Sequence, residues 1–382
     1  KYDYVTVEDG IFRFAGEPYY FIGTNYWYGA ILGTEGEYGD RGRLIRELDH
    51  MKSIGITNLR VMVGPEGPDN EPFRVTPALQ VAPGEYSEMM LDGLDFLLAE
   101  MGKRGMHAIL FLNNAWDWSG GFSQYLNWNG YGDIPNPNVP PNTWQQFMAF
   151  SGHTDDPAIM TWEIANEPLA FSDDNIPAFE AMIGRIASLL QELDENHLVT
   201  TGTEGRHGCE QKMDVFERIH ANPDIDYLVM HIWPKNWGWL DIADIAGTLD
   251  SSLVKTNRYI NDHLEVAVQL NKPIVLEEFG LPRDLHGFSP DESTVARDTY
   301  YGNAFGQVLE HAGRLGPLAG CNIWSYAGEG RAADGRIHWL PGDDYLGDPP
   351  QEEQGLNSVF DSDSTIAVIS DFNRRLSTFI KK

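Results

Sequence analysis

Eight short runs rich in β-branched and apolar residues, separated by longer stretches with helical periodicity, constrain this chain more than anything else in it. The runs are Tyr19–Thr24, Thr57–Val63, His107–Asn113, Ile159–Glu167, Leu198–Glu204, Tyr227–Trp233, Pro273–Gly280 and Leu318–Tyr326. Between them, apolar residues return every three or four positions, as in Leu44, Ile45, Leu48, Met51 and Ile54, and in Phe179, Met182, Ile183, Ile186, Leu189 and Leu190. Near-continuous apolar strands joined by helices make a parallel sheet covered on its outer face, and eight such units close into a (β/α)8 barrel, with long βα loops forming a cleft. An open doubly wound sheet is the competing arrangement, but no glycine-rich phosphate fingerprint follows the first run. Residues 1–382 are therefore expected to form a single α/β barrel domain.

One crossover departs from the pattern. From Asn113 to Ile159 the chain is rich in Gly, Asn, Pro and Trp, and its only helical stretch is Thr143 to Phe150, followed at once by Ser151-Gly152-His153 and Asp155-Asp156-Pro157. Eight helical residues rise only about 12 Å, short for the return leg of a barrel unit. Either the barrel closes around this short helix, or the continuous numbering conceals an absent segment near 150–154. The second is expected, because a missing wall helix exposes the apolar outer faces of the adjacent strands.

Charge and composition narrow the partners. With 57 acidic and 27 basic residues the net charge is -30, which repels phosphate backbones and anionic membranes and leaves a neutral ligand as the easier fit. No apolar stretch approaches the ~18 residues that cross a bilayer. Cys209 and Cys321 form neither a disulfide framework nor a metal cluster and read as buried small apolar residues. His107, His207, His231 and His338 lie in different units without ligand spacing, so no metal or cofactor is expected, and the protein is expected to be a monomer. The start at Lys1-Tyr2-Asp3-Tyr4 reads as a mature or trimmed one and says little about export.

The fourth run ends in Asn166-Glu167-Pro168. A carboxylate closing a buried strand costs free energy unless it is paired or used, and barrel enzymes keep their functional groups at the C-terminal ends of strands. Three strands further round, the seventh run stops the same way, at Glu277-Glu278-Phe279-Gly280. Two acids at strand mouths can flank one glycosidic bond: about 5 to 5.5 Å apart they serve retaining hydrolysis, about 6.5 to 9.5 Å apart inversion. Sequence gives no distance, so the stereochemistry stays open at this point. Of the 11 Trp, most fall where loops should be, at Trp27, Trp116, Trp118, Trp128, Trp233, Trp237, Trp239, Trp324 and Trp339, as suits a ligand with apolar C–H faces and a rim of hydroxyls. Arg60 in the second run, Asn113 and Asn114 at the end of the third, Glu204 at the end of the fifth and His231 in the sixth complete a polar set. An arginine inside a barrel needs an anion, and an ionised nucleophile is a natural one.

Leu59-Arg60-Val61, Asn166-Glu167-Pro168, His231-Ile232-Trp233-Pro234, Glu278-Phe279-Gly280 and Trp324, in this order along the barrel, resemble glycoside hydrolase family 5. Gly23-Thr24-Asn25-Tyr26, Asn113-Asn114, Gly202-Thr203-Glu204-Gly205 and the segment His231 to Trp239 are most similar to its endo-β-1,4-mannanase branch. The resemblance implies retaining hydrolysis of internal β-1,4-mannosidic bonds in mannan, glucomannan or galactomannan; an exo-acting β-mannosidase or another β-1,4-glucan hydrolase is the alternative. It further implies Glu167 as acid/base, Glu278 as nucleophile with Glu277 a mere neighbour, Asn166 on the substrate's 2-hydroxyl, and Arg60 and His231 in support. Trp233 stands where the family often has Tyr beside the nucleophile, and Leu169 where relatives commonly place Arg. Trp27, Asn113, Trp116, Glu204, Trp324 and Trp339 are expected to meet the sugar. Relatives usually carry a full third helix before an Asp-Asp-Pro like that at 155–157. An extracellular or periplasmic protein is expected, and endo or exo action depends on whether the loops Pro65–Tyr86 and Asn127–Pro141 leave both ends of the cleft open.

Overall fold

The computed structural model describes residues 4–151 and 163–380. The strands Phe21–Asn25, Asn58–Met62, His107–Phe111, Leu228–Ile232, Ile274–Phe279 and Leu318–Ile323 form one parallel, six-stranded ladder. They are the first, second, third, sixth, seventh and eighth barrel strands, and the first pairs with the eighth, so the sheet curls back on itself. Through the fourth and fifth positions the pairing is sparse. Single bridges join Phe111 to Glu163, Asn114 to Asn166 and Glu163 to Thr200. The fifth reaches the sixth through the Asp226 N–H on the Val199 carbonyl and the Thr200 hydroxyl on the Tyr227 carbonyl, both at 2.8 Å. The runs at 159–167 and 198–204 are thus less regular, among the described residues, than the alternation suggests.

Helices cover the outside as the periodicity requires: Arg41–Ser53, Glu88–Lys103, Ile176–Leu193, Met213–His220, Ile245–Leu270, Val295–Arg314 and Ser364–Ile380. Asp40, Ser87 and Asp244 cap three of them by accepting from the backbone N–H three residues on. Ile176–Leu193 turns Phe179, Met182, Ile183, Ile186 and Leu190 inward. At about 1.5–3 kcal/mol for each large side chain removed from water, that one face outweighs any propensity term. The third unit instead carries two eight-residue helices, Gly121–Trp128 and Trp144–Ser151. The expectation of an absent segment near 150–154 lies outside the described residues. Within them, His107, Ala108 and Ile109 of the third strand are half-buried, whereas the other five strands of the ladder are buried throughout.

A feature not anticipated is the N-terminal hairpin Val5–Glu8/Ile11–Phe14, which caps the bottom of the barrel. Its Phe12 joins Phe21, Tyr227, Val229, Val275 and Ala319 in a separate apolar cluster. At the opposite end the loops after strands two, three and eight are tied together. The Val75 N–H donates to Trp118 O, the Arg74 side chain to Asp117 O and Gln124, and the Tyr345 hydroxyl to Thr76 O at 2.7 Å, while the Phe73 ring meets the edge of His338.

Candidate active site

Glu167 ends the fourth strand with φ of 52°, in the left-handed region that non-glycine residues seldom occupy and that clusters at functional sites. Its N–H donates to Gly202 O at 2.9 Å, tying it to the fifth strand. Gly202 is required there, because a Cβ would lie 1.9 Å from Ala165 O. The turn delivers the Glu167 carboxylate to three donors: Trp116 Nε1 at 2.6 Å on Oε2, and His231 Nδ1 at 2.9 Å and Trp233 Nε1 at 3.3 Å on Oε1.

The other carboxylate reaches the site through a β-bulge. Val275 pairs with Val229 and Leu276 with Met230, but the next partner of the seventh strand, opposite His231, is Glu278 rather than Glu277. The extra residue breaks the alternation, so Glu277 and Glu278 both turn into the barrel. Arg60 Nη1 lies 2.5 Å from Glu278 Oε1, and His231 Nδ1 3.5 Å from Glu278 Oε2. Oxygens of Glu167 and Glu278 and a nitrogen of His231 all lie within 4.8 Å of one another.

Arg60 is fully buried and organises the floor. Besides Glu278 it binds Glu163 through Nε and Nη2 at 2.9 and 2.5 Å, Asn25 Oδ1 at 2.9 Å and Asn166 Oδ1 at 2.7 Å, and it lies over the Phe111 ring. Asn166 is oriented from both sides, since its Nδ2 donates to Asn114 Oδ1 at 3.1 Å. Three ligand atoms this close could hold a cation, but Arg60 and the indole N–H groups already address the same oxygens, and a guanidinium beside them opposes further positive charge.

Burial raises the Glu278 carboxyl well above the ordinary range and the Glu167 charge raises it further, against the pull of Arg60. Burial also works to raise Glu167, but the hydrogen bond and charge of His231, then the Trp116 N–H, outweigh it and hold this carboxyl low. His231 itself is pushed down to about 4 by burial, so it is neutral near pH 6 and keeps only its N–H in this role. Two carboxyls whose oxygens lie within 4.8 Å of each other titrate as a pair sharing one proton.

The cleft around the pair encloses about 490 Å³ and is lined by Asn166, Trp116, Glu204, Trp233 and Trp324, all singled out above, together with Trp118, His207, Trp237, Gln351 and Glu352. Glu204 is buried next to His207, and burial followed by the Glu167 charge pushes its carboxyl up to about 7. Three other residues do not reach the cleft, which corrects the sequence reading. Trp27 is 1% exposed, its indole N–H bound to Gly347 O and its ring packed on Trp118 and Tyr345. Trp339 stacks on Tyr345 and donates to Asp343 O. Asn113 turns to Glu66, under the loops after strands two and three. The Trp233 indole N–H serves Glu167 rather than Glu278.

Glu163 was missed. It stands four residues before Glu167 in an otherwise apolar strand, on the same face by the two-residue repeat, and that spacing was the available signal. Asn25, holding Arg60 from the first strand, left no comparable mark.

The comparisons with known proteins agree with this geometry. The family described as GH family 5 beta-mannosidase-like matches residues 2–154 and 150–381. A glycoside hydrolase family 5 mannosidase from Rhizomucor miehei is 34% identical and superposes with a TM-score of 0.87 over 99% of this chain and 98% of its own. A variant of that enzyme has been crystallised with mannosyl-fructose. Mannan endo-1,4-beta-mannosidase 7 of Arabidopsis thaliana is 28% identical over 97% of this chain and 84% of its own length. The endo-1,4-beta-mannanase of Rhizomucor miehei, 22% identical with a TM-score of 0.65 over 99% of this chain and all of its own, shares the fold. On its sequence, its TIM-barrel fold and its paired strand-end glutamates, the chain belongs to glycoside hydrolase family 5.

Proposed function

We propose that this enzyme is a retaining β-mannosidase that removes single mannosyl units from the non-reducing ends of β-manno-oligosaccharides. The observation that carries the reading is the wall made by the loops after strands two, three and eight. Thr76–Tyr345, Phe73–His338 and Val75–Trp118 contacts join them into one rim, and Trp118 carries that rim to the lining of the cleft, which in this reading it closes at one end. The side towards Glu204, His207 and Trp237 is left for the leaving group. A polymer threading through would need that rim open.

Retention is supported by the approach of Glu167 and Glu278, whose oxygens come within 4.8 Å, nearer the retaining separation of about 5–5.5 Å than the inverting one. Glu278, its charge balanced by Arg60, attacks the anomeric carbon of the sugar lying on Trp324. Glu167 protonates the departing oxygen, then takes a proton from the water that hydrolyses the glycosyl-enzyme. In the empty site the shared proton lies on the Glu278 side of the pair. A glycosidic oxygen bound at Glu167 is an acceptor that holds a proton there, and Arg60 takes up the charge left on Glu278. Asn166 Nδ2, fixed by Arg60 and Asn114, keeps one N–H for the 2-hydroxyl. A substrate of this kind suits an extracellular or periplasmic enzyme, and the -30 charge does not oppose a neutral sugar.

Endo action is the second reading, favoured by the names of the plant relatives. Mannohexaose labelled at its reducing end separates the two. The exo reading expects mannose and a label that steps down one sugar at a time; early labelled di- and trisaccharides, with a rapid fall in mannan viscosity, would reject it.

A further inference from the structure

Glu277 is the one inward carboxyl of the seventh strand that the proposed mechanism leaves unused. The bulge turns it to the same interior as Glu278, and it is completely buried. Its Oε1 accepts from the Tyr227 hydroxyl at 3.0 Å, and its backbone carbonyl from Asn25 Nδ2 at 2.8 Å. Its Oε2 has no hydrogen-bond partner among the described residues and lies 3.8 Å from Arg60 Nε. That nitrogen is already bound, at 2.9 Å, to Glu163 Oε2.

The floor therefore holds Glu163, Glu277 and Glu278 around a single guanidinium. Arg60 bonds directly to Glu163 and Glu278, and its five N–H donors are spent on them and on Asn25 and Asn166. No cation is left for Glu277, whose other titratable neighbours are Glu163 and Tyr227. Three ionised carboxylates against one buried cation would leave two uncompensated charges in a medium where each costs several kcal/mol. A proton on Oε2 removes one of those charges and converts the unsatisfied acceptor into a donor next to the Arg60 Nε to which Glu163 Oε2 is bound.

We propose that Glu277 is a neutral, hydrogen-bonding positioning residue, bridging Tyr227 to Glu163 and so fixing the guanidinium that faces the nucleophile. Burial and the adjacent Glu163 charge both act on its carboxyl in the direction this requires. The kinetic part of the test rests on the reading of Glu278 as nucleophile, whereas the spectroscopic part does not.

Infrared spectra of the whole chain in H2O and D2O near neutral pH test the protonation. The wild type should show an isotope-sensitive carboxylic-acid carbonyl band that is lost in Glu277→Gln and displaced in Tyr227→Phe, which removes the donor to Oε1. Retention of every such band in Glu277→Gln overturns the proposal. Should that variant fail to fold, an unmoved band pattern in Tyr227→Phe overturns it instead. For the positioning role, Glu277→Ala should lower kcat about tenfold with KM little changed, and Glu277→Gln, which keeps both hydrogen bonds, should recover most of that loss. An alkaline limb of kcat/KM, set by the high-lying Glu278 carboxyl, that moves to lower pH in Glu277→Gln, as when a negative charge beside Glu278 is removed, would show Glu277 to be ionised. Full activity in Glu277→Ala would reject the positioning role even with the infrared band in place.

Discussion

Glu163 holds Arg60 from behind with both carboxylate oxygens, through Nε and Nη2, and so determines that Nη1 is the nitrogen turned to Glu278. Removing one partner of a buried pair leaves the other charge uncompensated, at a cost of about 3–5 kcal/mol. Glu163→Gln should therefore unfold at clearly lower denaturant, and its kcat should fall about ten- to a hundredfold through the misdirected guanidinium. Denaturant titration and steady-state kinetics on one preparation check both. Unchanged kcat would mean that Asn25 and Asn166 suffice to aim Arg60.

The two site glutamates should separate by leaving group. Glu167→Gln abolishes turnover of mannobiose but spares the first step on an activated aryl mannoside, which leaves without a proton. Glu278→Gln loses both. Proton NMR of the first-formed anomer decides the stereochemistry, and inversion would overturn the assignment of Glu278 as nucleophile.

Trp116 donates its indole N–H to Glu167, a bond that favours the ionised carboxylate. Trp116→Phe keeps an aromatic ring and deletes the donor. The Glu167 pKa should rise, so the acid limb of the kcat/KM profile, set in the free enzyme by this low-lying carboxyl, should move to higher pH by about half a unit to one unit, as fits one lost charge-assisted hydrogen bond. A limb that stays in place would show that the Trp116 bond is replaced by another contact when sugar is bound.

A fourth expectation concerns stability. Glu66, buried under the loops after strands two and three, has its carboxyl pushed up to about 8 by burial. A group whose pKa is raised by folding stabilises the fold while protonated; the contribution is complete below the unfolded value near 4.5 and is lost as pH climbs through about 8. Glu352, also near 8, acts with the same sign. The buried His231 and His263, both pushed down to about 4, act oppositely and only below their unfolded value of 6.5. Between pH 6.5 and 8.5 stability should therefore fall, by about 2 kcal/mol from Glu66 alone. Glu66→Gln should flatten that slope in urea unfolding; an unchanged slope would place the titration elsewhere.

The barrel was legible because its strands carry continuous apolar runs and its helices a 3.6-residue stripe, and both patterns follow from burial alone. Glu167 and Glu278 stood out for the same reason, as charges ending buried strands. What was lost depended on partners far along the chain. Trp27 and Trp339 read as cleft aromatics because a Trp on a loop looks alike whether it faces a ligand or another loop, and only the contacts with Tyr345 and Gly347 distinguish them. The N-terminal hairpin was invisible because its plug residue Phe12 has its partners in four other strands. The rim is likewise made of contacts between loops, the Tyr345 hydroxyl on Thr76 O, Phe73 on His338 and the Val75 N–H on Trp118 O, and neither partner's own stretch of sequence marks the pairing.

The bulge in the seventh strand makes the position of Glu278 a matter of chain length. On an unbroken pleat Val275 and Glu277 would face the interior and Glu278 the helices. The strand carries one residue more than its ladder with the sixth strand counts, and that surplus swings Glu278 back to meet His231. A deletion of Glu277 would thus leave a glutamate facing the sugar while removing the carboxyl behind it. An insertion in the same stretch would shift the register once more, so the facing of Glu278 depends on how many residues the strand holds as well as on which they are.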